Sequence, residues 1–155
     1  MRHQRAVLLH NIRSAHNVGS IFRTADAAGV SKVFLSGYTP CPVDRFDRVQ
    51  KEIAKTALGA EKFLEWEYKK SPVPIIALLK KEGWHVVSVE QHAKSTDYRK
   101  FKLKKPTLFI LGNEVSGVPK ALLDKSDAVL EIPMRGKKES LNVSVAAGIV
   151  LFSVR

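Results

Sequence analysis

The residues best equipped for chemistry in this sequence are Arg23, Glu114, Ser140 and Asn142, each set among glycines, asparagines or lysines. A guanidinium at position 23 suits bidentate anchoring of a phosphodiester, with a surface salt bridge as the ordinary alternative. In "LGNEVSG", Gly112 and Gly117 let the backbone turn tightly and free peptide groups to approach a planar ligand or a carboxylate. Glu114 within it reads equally as a solvated loop carboxylate. In "MRGKKESLNVS", Gly136 gives a turn, Lys137 and Lys138 offer charge for phosphate, and Ser140 or Asn142 caps the apolar helix that follows.

Charge narrows the partner. The 155 residues hold 26 Lys and Arg against 15 Asp and Glu, a formal charge of +11, with a pI near 9.9. Such an excess favours a polyanion, nucleic acid first, over an acidic small molecule. No basic amphipathic helix with a large apolar face points to a membrane surface, and no apolar run has the length of a span. The apolar stretch Ala6 to Leu9 is too short for a signal-peptide core. Cys41 is the only cysteine, which forbids an intrachain disulfide and fits a reducing, cytoplasmic setting.

Other chemistries lack their motifs. The chain has neither the G-x-G-x-x-G dinucleotide fingerprint, nor a phosphate loop, nor a G-x-S-x-G nucleophile elbow. His3, His10, His16, His85 and His92 show no metal-ligand spacing, so no metal is expected. The basic stretch from Arg99 to Lys105, with Tyr98 and Phe101 interleaved, reads as a track for a nucleic-acid backbone with stacking, or as a solvated linker.

The elements that must position these residues follow from periodicity. Val18, Ile21, Phe22 and Ala25 line one face of a helix that Asn17 caps and Gly29 ends, which leaves Arg23 pointing away from the apolar stripe. Short apolar strands are expected at Ala6 to Leu9, Lys32 to Leu35, Phe63 to Trp66, His85 to Val89, Thr107 to Leu111 and Ala128 to Ile132. Helical stretches separate them: one ended near Gly59, one started by Pro72 and Pro74, a short one from about Pro119 to Leu123, and a last one from Val143. Together they predict a single α/β domain over residues 1–155, with a mainly parallel sheet flanked by helices. In such sheets ligands sit beyond the carboxyl ends of the strands. The polar loops after the strands at Ala6, Thr107 and Ala128 therefore converge on one edge.

Three blocks in this order, "HNVGSIFRTADAAG" with its N-x-G-x-x-x-R core, "LFILGNEVSG" and "IPMRGKKESLNVSVAA", resemble the SpoU/TrmH family of the SPOUT superfamily of RNA methyltransferases. The resemblance implies a C-terminal deep trefoil knot, a pocket for S-adenosylmethionine, and a homodimer in which one subunit's catalytic residues face its partner's cofactor. It implies methyl transfer to a ribose 2'-hydroxyl of RNA, tRNA more than rRNA, with a non-catalytic RNA-binding module or a base-methylating enzyme as alternatives. Arg23 is then the residue that acts on the hydroxyl, as a base or as an orienting group. Asn17 holds Arg23 and the loops, Glu114 shapes the site, and Ser140 and Asn142 stand around the cofactor and the reacting centre. Leu111, Gly112, Asn113, Ile132, Met134, Ser140 and Leu141 would cradle the cofactor.

Overall fold

The computed structural model describes residues 3–155. Its strands and helices follow in the order β1 (Arg5–His10), α1 (Ala15–Ala28), β2 (Lys32–Ser36), α2 (Lys51–Ala57), α3 (Ala60–Phe63), β3 (Glu65–Lys69), α4 (Val73–Lys81), β4 (His85–Val89), β5 (Thr96–Asp97), β6 (Thr107–Leu111), α5 (Lys120–Leu123), β7 (Ala128–Glu131) and α6 (Val143–Ser153). The strands form one seven-stranded sheet in the order β3-β2-β1-β6-β4-β7-β5. Every pairing is parallel, so all carboxyl ends face one edge. The expected α/β class with a parallel sheet is what the chain adopts.

Burial explains the strand sequences. Central β1 and β6 carry side chains buried on both faces, and one layer of core lies on each side. One layer packs α1, α2 and α6 on Val7, Leu9, Phe109 and Leu111; the other packs α4 on Ala6, Leu8, Leu108 and Ile110. Fully buried Phe22 and Phe109 are each worth roughly 2–3 kcal/mol of apolar transfer.

Several boundaries differ from the sequence expectations. Ser14, not Asn17, caps α1: its hydroxyl accepts the Asn17 N–H at 3.1 Å, because Ala15 and His16 already have helical geometry. Leu58, in the left-handed region at φ 52°, ends α2, and Gly59 instead starts α3. β3 runs from Glu65 to Lys69, shifted from the expected Phe63 to Trp66 because Phe63 closes α3 and is exposed. The two-residue β5 was not expected at all, being too short and polar to carry a period.

Candidate active site

The first and second blocks meet through one carboxylate. Glu114 accepts the N–H groups of Arg13 and Ser14, both at 2.8 Å, and the Asn17 side-chain amide at 3.3 Å. Partial burial pushes its pKa up, but the Arg13 and Ser14 N–H groups outweigh that and hold it below the usual carboxylate range. An ionised Glu114 at the first turn of α1 also complements the positive helix end. It is therefore a tied structural anion, not a solvated loop residue.

The third block joins through Asn142. Its side-chain amide donates to Asn17 Oδ1 at 3.2 Å, while its own Oδ1 caps α6 by accepting the Ser144 N–H at 2.9 Å. Asn142 is thus both cap and connector; Ser140 makes no cap and is exposed. The chain Glu114–Asn17–Asn142 crosses residues more than 90 positions apart in sequence.

Beside this chain lies a cleft of about 160 Å³ at the carboxyl ends of β4, β6 and β7. All seven residues expected to hold the cofactor, Leu111, Gly112, Asn113, Ile132, Met134, Ser140 and Leu141, line it, and so does Glu114. Its wall combines apolar side chains such as Leu130, Ile132 and Val143 with peptide groups lying past the ends of the strands. Two glycines make that shape possible. A side chain on Gly112 would collide with the Gly117 backbone, and one on Gly117, already at φ 72°, would collide with the Glu90 carboxylate.

The loop between them is internally braced. Asn113 Oδ1 accepts the N–H groups of Val115 and Ser116 at 2.8 and 2.9 Å, and its amide donates to the Asn11 carbonyl and the Tyr38 hydroxyl. The Asn113 side chain is committed to the loop, so what it offers the cleft is its place in the wall.

Val89, Glu90 and Gln91 also line the cleft and were missed in the sequence. Glu90 stitches β4 to the loop by accepting the N–H groups of Val118 and Gln91, each at 2.9 Å. The signal was present, since the strand-end rule that singled out three loops applies equally to the strand ending at Val89.

Arg23 is placed differently from the rest. It is exposed on α1, forms no ion pair among the described residues, and does not line the cleft of its own chain. From Asn17 it is six residues, about 9 Å along the helix. Elsewhere, burial pushes the Cys41 thiol up, which disfavours a reactive thiolate. Among the described residues no group of three or more His, Cys, Asp or Glu is placed to hold a metal ion, and no helix is long and apolar enough to cross a membrane.

Comparison with known proteins decides the family. The model of the SpoU rRNA methylase family matches residues 4–152. The chain belongs to that family. A Staphylococcus haemolyticus protein, named provisionally as a TrmH family tRNA/rRNA methyltransferase, is 34% identical over 148 residues, 96% of this chain and 57% of its own length. The tRNA (guanosine(18)-2'-O)-methyltransferase of Aquifex aeolicus is 32% identical over 149 residues, covering 96% of this chain and 67% of that one. Among solved structures, the AdoMet-bound rRNA methyltransferase of Sinorhizobium meliloti superposes with a TM-score of 0.88 at 32% identity, over 99% of this chain and 56% of the other. This SpoU chain thus spans little more than half the length of some relatives it matches.

Proposed function

We propose that this SpoU chain is an S-adenosylmethionine-dependent RNA methyltransferase acting on a ribose 2'-hydroxyl. The observation that carries the reading is the hydrogen-bonded chain Glu114–Asn17–Asn142, which ties all three sequence blocks to one sheet edge beside the cleft. Relatives named as a tRNA 2'-O-methyltransferase and as an AdoMet-bound rRNA methyltransferase support it.

The cleft fits the cofactor's chemistry. Apolar Leu111, Leu130, Ile132 and Val143 suit a flat adenine ring, and the peptide groups around Gly112 and Ile132 to Met134 suit its polar edge and the methionine part. When bound, S-adenosylmethionine supplies an electrophilic methyl group on its sulfonium. Arg23, permanently protonated, orients the 2'-hydroxyl by hydrogen bonding and eases loss of its proton to a phosphate oxygen of the RNA. Asn17 and Asn142 hold α1 and α6 in register around it, and Ser140 stands at the cleft mouth. Exposed Arg13, Arg135, Lys137 and Lys138 give the rim a positive field for phosphates.

Arg23 lies outside its own cleft, so we infer a homodimer in which it serves the partner's cleft. The apolar α6, with Val145 and Phe152 exposed at 49% and 59%, supports such a contact. The insertion of β6 between β1 and β4, and of β7 between β4 and β5, supports the trefoil knot carried by the family likeness. We take tRNA as the substrate class, with the Aquifex relative in support, and a single free cysteine fits work in the cytoplasm.

The test is methyl transfer from labelled cofactor to unmodified total RNA, with the product digested and its nucleosides weighed. A 2'-O-methyl nucleoside is expected. Label on a base would assign a base-methylating enzyme, and no label together with no S-adenosylhomocysteine binding would leave only an RNA-binding module.

A further inference from the structure

Between β5 and β6 the chain runs from the cleft edge of the sheet to the opposite edge. Asp97, its start, pairs in register with Glu131, and Pro106, its end, accepts the His85 N–H at the foot of β4. Its aromatic residues do not offer the stacking faces expected from sequence. Tyr98, Phe101 and Leu103 pack on the core layer of α1 and α6; Phe101 stacks on His85 at 5.7 Å and meets Phe109 edge-on at 6.0 Å. The Leu103 N–H donates to the Arg155 carbonyl at 3.0 Å, which fixes the segment beside the end of α6.

With those side chains turned in, Lys100, Lys102, Lys104 and Lys105 are turned out and exposed. Lys100 ends a 3-10 turn, Tyr98–Lys100, and beyond the extended Phe101 the lysines at 102 and 104, two apart, stand about 6.6 Å from each other on the same side. None of the four forms an ion pair among the described residues, whereas Lys32, Lys80 and Lys120 each have a carboxylate partner. Arg99 does not belong to the row, because it is tied to Asp97, whose carboxyl it holds at about 2. Four like charges on a pinned backbone repel one another, and a polyanion laid along them relieves that repulsion.

We propose that Lys100, Lys102, Lys104 and Lys105 form a phosphate-binding row that carries the RNA backbone away from the methyl-transfer cleft, past the end of α6 towards the amino edge of the sheet. The proposal rests on the RNA reading of the cleft and adds a second contact surface to it. The row reads phosphates, not bases, because the Phe101 ring, the one aromatic among these lysines, is packed against His85 and Phe109.

The experiment compares the full chain with its K100Q/K102Q/K104Q/K105Q variant for binding of an unmodified tRNA transcript pool across a salt series. The slope of log affinity against log salt is expected to fall by about 3, at roughly 0.7–0.9 per lysine lost. S-adenosylhomocysteine affinity and the melting temperature should stay unchanged, and the corresponding Lys→Arg variant should keep the wild-type slope. Equal slopes for wild type and the glutamine variant would overturn the row while leaving the RNA reading intact. Wild-type protein with no salt-dependent RNA binding would bring down that reading and the row together. Lysine-dependent sedimentation with phosphatidylserine vesicles, at an unchanged RNA slope, would assign the row to a lipid surface and overturn the proposal.

Discussion

Two arginines of this molecule differ in what holds them. Arg5, the first residue of β1, is buried at the amino edge and donates to the carbonyls of Ala28 and Leu151, in the last turns of α1 and α6. There its charge complements the negative ends of both helices and satisfies carbonyls that have no partner within the helix. Arg23 sits in the middle of α1, exposed and without an ion pair among the described residues. The comparison teaches that hydrogen-bond partners, not residue type, separate an arginine the fold has used from one it leaves available. Cleft size is a poor guide by contrast. The cleft around Arg5, about 390 Å³, is larger than the one beside Glu114, about 160 Å³, yet it lies at the edge of the sheet where ligands do not bind.

Substituting the two arginines should separate their roles most sharply. Arg23→Ala is expected to slow methyl transfer by roughly 10²–10³-fold in single-turnover assays while leaving S-adenosylhomocysteine affinity within about twofold. Loss of cofactor binding as well would make Arg23 structural. Arg5→Met should do the reverse, costing about 2–4 kcal/mol in urea unfolding by stranding two buried carbonyls, with the transfer rate per folded molecule unchanged.

Asn142 stands between the two cases. Its alanine variant should lose about 1 kcal/mol of stability with the α6 cap. Asn142→Asp keeps an acceptor for the Ser144 N–H but lacks the amide that reaches Asn17. Its stability should return to near wild type while transfer stays about tenfold slow, as stopped-time assays of both variants can check.

The smallest effect belongs to Glu114. Its folded pKa is depressed, so its contribution to stability is complete above the unfolded value of about 4.3 and is lost as pH falls through the lower folded value. Urea unfolding of wild type should therefore weaken in acid below that point, and Glu114→Gln should lack this component.

Much of the cleft was legible because strand ends and glycines leave a local imprint. Gly112 and Gly117 announced a tight loop, and the convergence of polar segments followed from the parallel sheet. What periodicity could not supply was partnership across distance. Neither the bond from Asn17 to Glu114 nor the cap at Ser14 is visible locally, since Ser14 and Asn17 are both good capping residues and only the fold chooses. Tyr98 and Phe101 looked like stacking platforms for the same reason. The rings that meet Phe101, those of His85 and Phe109, come from β4 and β6, and Tyr98 packs on the core layer of α1 and α6.

Mixing two crippled variants shows whether Arg23, which does not line the cleft of its own chain, completes that of a partner. Arg23→Ala lacks the group proposed to act on the hydroxyl, and Gly117→Val distorts the cleft while keeping Arg23. If Arg23 serves the partner's cleft, subunit exchange should restore about a quarter of wild-type methyl transfer, since half the dimers are mixed and each holds one intact site. Mixed dimers that form but transfer no more than the two parents alone would contradict the account.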